Sequence, residues 1–217
     1  MCRNSSFFLG LMLGFILLTG QAAHAQTSRL YFAGYLGLNS HDDEGFTDAS
    51  VSQTGEFKMS NSTSFAGALG VRLTPQWRVE GEYSYSRADF SSVDIPGTGS
   101  FDTGGEMKSK IIFANLYYDF DVPWKIQPFV GGGLGVGFHS GEINDGSGVL
   151  SNASSDDTAM MWNFGGGIKY RPKDDMAFTA GYRYVDSMDL NFGNYTMEAG
   201  GHEFRIGLEW DLPVGGR

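Results

Sequence analysis

Four residues of this 217-residue chain carry the side chains best suited to covalent chemistry: His139, Ser140, Glu142 and His202. A histidine, a serine and an acid brought together could activate a hydroxyl for acyl transfer, the imidazole taking the proton and the carboxylate orienting the ring. The spacing argues against it. His139 and Ser140 are consecutive, so in extended chain they point to opposite faces and cannot share a proton. The four read instead as solvated residues at the rim of a larger framework, and no catalytic residue is expected.

Metal and nucleotide chemistry fare no better. His41-Asp42-Asp43-Glu44 and Asp156-Asp157 offer oxygen ligands, but they lack the alternating ligands and fixed glycine of a dedicated calcium loop. They read as solvated loop acids, so no metal and no cofactor is expected. Gly131-Gly132-Gly133-x-Gly135 mimics a dinucleotide loop, yet it lies inside a strand and opens no helix. Acidic residues outnumber basic ones, 25 to 15, and the basic residues are scattered, which argues against a nucleic-acid partner. Ion pairing is the chemistry that remains, and its candidates are Glu80 and Glu82 against Arg183 and Arg205.

What could position those four is visible in the alternation around them. Phe204, Ile206, Leu208, Trp210 and Leu212 form one row of a period-two run, and Glu203, Arg205, Gly207, Glu209 and Asp211 form the other. An apolar face lies back to back with a charged one, and no stretch of the chain reads as a helix long enough to cover the apolar side. A membrane is the expected oil. The same pattern recurs in Leu30 to Leu38, Ser64 to Leu73, Trp77 to Ser86, Lys108 to Phe120, Ile126 to Phe138, Met160 to Arg171 and Ala177 to Asp186, which makes eight strands.

Their connections alternate. Polar segments Asn39 to Asn61, Asp89 to Gly105, His139 to Asp157 and Ser187 to Gly201 follow strands one, three, five and seven, while Thr74 to Gln76, Asp121 to Lys125 and Pro172 to Asp175 are tight turns. Long loops on one side and short turns on the other predict an all-β, up-and-down antiparallel transmembrane barrel. Trp77, Tyr118, Phe120, Tyr170, Trp210 and Trp124 would form a girdle at the short-turn end, and Phe138, Trp162 and Tyr184 or Tyr85 one at the other. A soluble β-sandwich or lipocalin-like fold is the bland alternative, and eight apolar rows overfill its interior. The inward glycines Gly131, Gly133, Gly135 and Gly137 are expected to make room for large side chains from across the lumen.

At the amino terminus, Arg3, the apolar run Phe7 to Leu18 and Ala23-His24-Ala25 have the form of a secretory signal peptide, with cleavage expected between Ala25 and Gln26. The only cysteine, Cys2, lies inside it. Residues 1–25 are therefore read as the signal and 26–217 as a single barrel domain without thiol chemistry.

Taken together, Leu73-Thr74-Pro75-Gln76-Trp77, Asn115-Leu116-Tyr117-Tyr118-Asp119-Phe120, Pro128-Phe129-Val130-Gly131-Gly132-Gly133-Leu134-Gly135 and Gly181-Tyr182-Arg183-Tyr184 resemble the small outer-membrane β-barrels of Gram-negative bacteria. That group includes opacity-type surface proteins and the barrel domain of outer membrane protein A. The resemblance implies an integral outer-membrane protein with periplasmic termini, in contact with outer-membrane lipid and lipopolysaccharide, and a monomer. It implies a structural or adhesin-like surface role in which four loops meet a host or cell-surface ligand. One departure is that Pro213 to Arg217 follow the closing strand, where relatives often end on its aromatic residue, so the assembly signal is expected to be weaker or internal. No peptidoglycan-binding domain is expected after Leu212. The alternatives are a small diffusion channel, disfavoured because eight strands leave room only for side chains, and a lipid A-modifying enzyme, whose histidine and serine two residues apart are not found here.

The four ion-pairing candidates belong to inward rows. The third strand of an eight-stranded ring lies across from the seventh, so Glu80 and Glu82 are expected to meet Arg183 and Arg205 over the axis and plug the lumen, helped by Ser84, Asn115, Tyr117 and Asn163. A watery lumen with independent charges is the competing expectation.

Overall fold

A computed structural model describes residues 29–41, 44–48, 53–95, 99–102, 104–144, 153–188, 190–192, 195–197 and 200–212. Ala25 and Gln26, and the signal peptide read around them, lie outside the described residues, as do Pro213 to Arg217.

The described residues hold thirteen strands: β1 (Arg29–His41), β2 (Glu44–Asp48), β3 (Gln53–Met59), β4 (Ser62–Arg72), β5 (Trp77–Ile95), β6 (Gly99–Asp102), β7 (Gly104–Asp119), β8 (Ile126–Asn144), β9 (Ala153–Lys173), β10 (Met176–Met188), β11 (Leu190–Phe192), β12 (Tyr195–Met197) and β13 (Gly201–Asp211). Eight of them, β1, β4, β5, β7, β8, β9, β10 and β13, pair in that order, all antiparallel. β13 then pairs with β1, from Tyr31 opposite Asp211 to His41 opposite Gly201, and the ring closes. Closure satisfies every edge, which is the condition for a sheet to stand in hydrocarbon.

The outer face shows what surrounds it. Leu69, Leu134, Phe164 and Ile206 are each more than 60% exposed, while their chain neighbours Ala68, Asn163 and Ala33 across the sheet are buried. A water-facing surface does not carry so continuous an apolar band, so the soluble alternative is set aside. Aromatic rings bound the band. Trp77, Tyr118 and Phe120 stack edge to face at the short-turn end, with centroids 5.0 and 5.1 Å apart, and Trp162 with Tyr184 and Tyr182 with Phe204 mark the other.

The turns at the short end are built by local chemistry. Between β4 and β5, the Thr74 hydroxyl accepts hydrogen bonds from the backbone N–H groups of Gln76 and Trp77, at 3.2 and 2.9 Å. Pro75 presets the backbone beside it.

At the opposite end the structure corrects the sequence reading. The segments read as polar loops continue as sheet: β5, β8 and β9 run on past the barrel, and β2, β3, β6, β11 and β12 lie within those segments. β3 pairs with β5, β2 with β3, β12 with β2, β11 with β12, and β6 with β5. Beyond the membrane both faces of a sheet meet water, so nothing forces apolar residues onto one row. The backbone ladder persists without the alternation that would announce it.

The glycines of β8 require a second correction. A side chain at Gly133 would collide with Asn115, at Gly135 with Phe113 and at Gly131 with Tyr117. Each of those residues is the glycine's directly paired neighbour on β7. The glycines therefore accept large side chains leaning over from the adjacent strand, not from across the lumen.

Candidate functional site: the filled lumen

Inward rows carry the polar residues, and closure brings them into tiers along the axis. Nearest the short turns, Arg78 on β5 is only 2% exposed. Its guanidinium reaches Asp119 at 3.2 Å, Glu209 at 3.3 Å, Glu80 at 3.4 Å and the Tyr31 hydroxyl at 3.1 Å. The same group lies 3.9 Å from the centre of the Tyr117 ring, so its faces are covered as well as its edges. Lys169 bonds Asp119 at 3.0 Å and Glu209 at 3.2 Å. Arg72 bonds Glu209 at 2.8 Å and Asp211 at 3.0 Å, and Arg171 adds a contact to Asp211 at 3.3 Å.

The next tier is centred on Glu82. Its carboxylate forms an ion pair with Arg183 at 2.9 Å and accepts hydrogen bonds from both terminal nitrogens of Arg205 at 3.1 Å and from the Asn115 amide at 3.3 Å. Asn163 donates in turn to Asn115 at 2.9 Å. Arg183 also pairs with Glu203, which accepts from the Ser64 hydroxyl at 2.6 Å. Arg205 stacks 3.6 Å over the Tyr35 ring.

Of the four sequence candidates, three meet as a cluster: Glu82 with Arg183 and Arg205. Glu80 is placed differently. It takes the hydroxyls of Tyr31 and Tyr35, at 2.8 and 3.0 Å, and its cation is Arg78 on its own strand. Sequence reasoning did not nominate Arg72, Arg78, Asp119, Lys169, Arg171, Glu203, Glu209 or Asp211. Strand parity places them all on inward rows, but only the register says which acid lies level with which base. Among the described side chains of the network, the acids Glu80, Glu82, Asp119, Glu203, Glu209 and Asp211 stand against the bases Arg72, Arg78, Lys169, Arg171, Arg183 and Arg205, six against six. Buried charges cost several kcal/mol each unless paired with good geometry, and a neutral, cross-linked set meets that condition.

Above this tier is a cavity of about 80 Å³, lined both by serines, among them Ser84 and Ser109, and by apolar residues such as Met107, Ile111 and Met161. His139 points into it and is buried. Its Nδ1 lies 2.9 Å from the hydroxyl of Ser109, the residue directly paired with it on β7. Ser140, by contrast, faces outward, and His202 lies on the outer row of β13 with its ring 2.6 Å from the Tyr182 hydroxyl. The side chain of Glu142 lies outside the described residues, as do Asp42 and Asp43 and the side chains of His41, Glu44, Asp156 and Asp157. Among the described side chains, His139, Ser140 and His202 are therefore not brought together. The Ser109–His139 pair places a hydroxyl beside an imidazole across the β7–β8 ladder.

Comparison with known proteins adds the family and the fold. The family described as outer membrane protein beta-barrel domain matches residues 11–211. Among solved structures, OprG from Pseudomonas aeruginosa superposes with a TM-score of 0.64 at 14% identity, over 85% of this chain and 96% of that one. Neisserial surface protein A gives 0.54 at 19% identity, over 84% and 97%. The outer membrane protease OmpT from Escherichia coli gives 0.53 at 8%, over 87% and 99%. A surface protein and a protease share this architecture, so the fold does not select between them. Comparison with curated proteins gives no match.

Proposed function

The chain belongs to the outer membrane protein beta-barrel domain family, and from that premise we propose that it is a non-conducting anchor whose filled barrel holds a sheet-rich platform above the membrane for surface contact. As a member of the family it is an integral protein of the bacterial outer membrane. The observation that carries the proposal is the lumen. Arg78, Glu80, Glu82, Asn115, Lys169 and Glu209 are all fully buried inside the ring, packed among Tyr31, Phe113 and other inward side chains. A water-filled pore would leave such groups hydrated; here they are spent on one another.

In the proposed orientation the short turns and both chain termini face the periplasm, and the extended strands face outward. The partners are then outer-membrane lipid and lipopolysaccharide along the apolar band, and a host or cell-surface ligand at the extended sheet. The barrel acts as a monomer in this reading, since closure leaves no strand edge of the eight-stranded ring to share. Single-channel recording in planar bilayers tests the plug. The expected result is no conductance steps of the size general porins give. Stable, ion-selective steps from the unaltered protein would replace the anchor by the small-solute channel.

A further inference from the structure

On the outer face of β5 and β7, just beyond the apolar band, the register places three cations side by side. Lys108 lies directly opposite Arg87, and Lys110, two residues nearer the band, lies between Tyr85 on β5 and Phe138 on β8. Two of the three are partly neutralised. Glu106 bridges Arg87 and Lys108, and Asp89 lies 3.7 Å from Arg87. Lys110 is exposed and has no acidic partner among the described residues. It stands at the level of the aromatic girdle, where a lysine stem can lie along apolar surface while its ammonium reaches the headgroup layer.

The rest of the rim differs. At the same level the outer rows of β1, β4 and β13 present Leu38, Thr63 and Phe204. The described permanent cations of this rim are thus gathered on one side of a chain that carries a formal charge of −10. A general attraction to the membrane surface would be served by cations spread around the ring.

We infer that Lys110, Arg87 and Lys108 form a binding site for the phosphorylated headgroup of a single outer-leaflet lipid, whose acyl chains lie along Ile112 and Leu134 below. Successive outward residues on a strand are about 7 Å apart and paired residues about 5 Å. Three donors therefore fit around one phosphate group, and Arg87 keeps guanidinium N–H groups to spare after meeting Glu106. Tyr85 and Phe138 flank the lysine with rings that belong at the glycolipid boundary. The inference rests on the outward orientation proposed above, but its test does not depend on conductance.

The purified protein in zwitterionic detergent is titrated with bis-phosphorylated lipid A, with its dephosphorylated counterpart, with inorganic phosphate and with a soluble sulfated polysaccharide. Retention of one lipid is read by native mass spectrometry, and the unfolding temperature by fluorescence. Phosphorylated lipid A is expected to be retained one to one and to raise the unfolding temperature. Lys110→Gln combined with Arg87→Gln should weaken retention at least tenfold, whereas Lys110→Arg should preserve it. Both altered residues are exposed, so folding is not in question. Equal retention of the dephosphorylated lipid, equal retention by the double variant, or protection by inorganic phosphate or the polysaccharide alone would overturn the site.

Discussion

Replacing Glu82 by alanine removes the carboxylate that holds Arg183 of β10 and Arg205 of β13. Arg183 keeps Glu203 as a partner, but Arg205 is left with no carboxylate within ion-pair distance among the described residues and only the Tyr35 ring beneath it. Breaking a fully buried pair costs about 3–5 kcal/mol, because the surviving charge stays desolvated. The space vacated can admit water, which places the expected loss at the lower end, about 3 kcal/mol, or roughly a hundredfold in the folding equilibrium. Glu80→Ala should cost less, about 1–2 kcal/mol. Its cation, Arg78, retains Asp119 and Glu209, and what Glu80 loses is chiefly two tyrosine hydroxyls. Urea titration of folding into lipid vesicles, followed by tryptophan fluorescence, measures both. The pair Glu82→Ala and Arg205→Met closes a double-mutant cycle, whose expected coupling is about 1.5–3 kcal/mol. Glu82→Ala should also admit ion leakage that the unaltered barrel lacks. A loss below about 1 kcal/mol with no coupling to Arg205 and no change in leakage would mean that the lumen is wet and its charges independent.

Other outcomes follow from the same geometry. Gly135→Ala should destabilise by about 1–3 kcal/mol, since its side chain would meet the Ile112 carbonyl at 2.5 Å and the Phe113 ring at 2.6 Å; Gly34→Ala, with nothing within 4 Å, should change the same urea midpoint by little. Single cysteines test the orientation, because Cys2 lies in the segment read as the signal peptide: Gln76→Cys and Asp174→Cys should resist a membrane-impermeant maleimide on intact cells, and Ser100→Cys on β6 should react. The reverse pattern would invert the barrel. Ser109→Ala should cost about 1 kcal/mol, and the unaltered protein should not be labelled by a fluorophosphonate probe. Labelling that Ser109→Ala abolishes would reopen the enzyme reading.

The barrel was legible because lipid and lumen impose opposite demands on adjacent residues. Ile111 and Phe113 face in, Ile112 and Leu116 face out, and such rows recur eight times between connections that alternate in length. Tight turns were equally plain, since Thr74-Pro75 carries both a fixed φ and a hydroxyl that can take up freed N–H groups. The strands beyond the membrane were not legible for the converse reason. In β2 and β3 neither face has to meet oil, so nothing in the residue types distinguishes a hydrogen-bonded hairpin from a solvated loop.

The lumen shows where parity stops and register takes over. Parity assigns Arg78, Lys169 and Glu209 to the interior as readily as it does Glu82 and Arg205. What parity cannot supply is depth, because each strand is offset from its neighbour and the offsets accumulate around the ring. Following the pairs shows the consequence: Glu80 lies opposite Asn115, Asn115 opposite Gly133, Gly133 opposite Asn163, so no cation of β7, β8 or β9 is level with Glu80 along that row. It finds its partners instead in Tyr31, which lies level with it across Gly70, and in Arg78, two residues along its own strand. The Ser109–His139 contact is a product of the same constraint. Thirty residues separate the two in sequence, and only the β7–β8 register brings them opposite one another. Residue type and alternation thus nominate the members of such a network, while the pairing of strands decides which of them touch. A substitution that shifted one strand by two residues would keep every inward residue inward and still exchange the partners of the whole lumen.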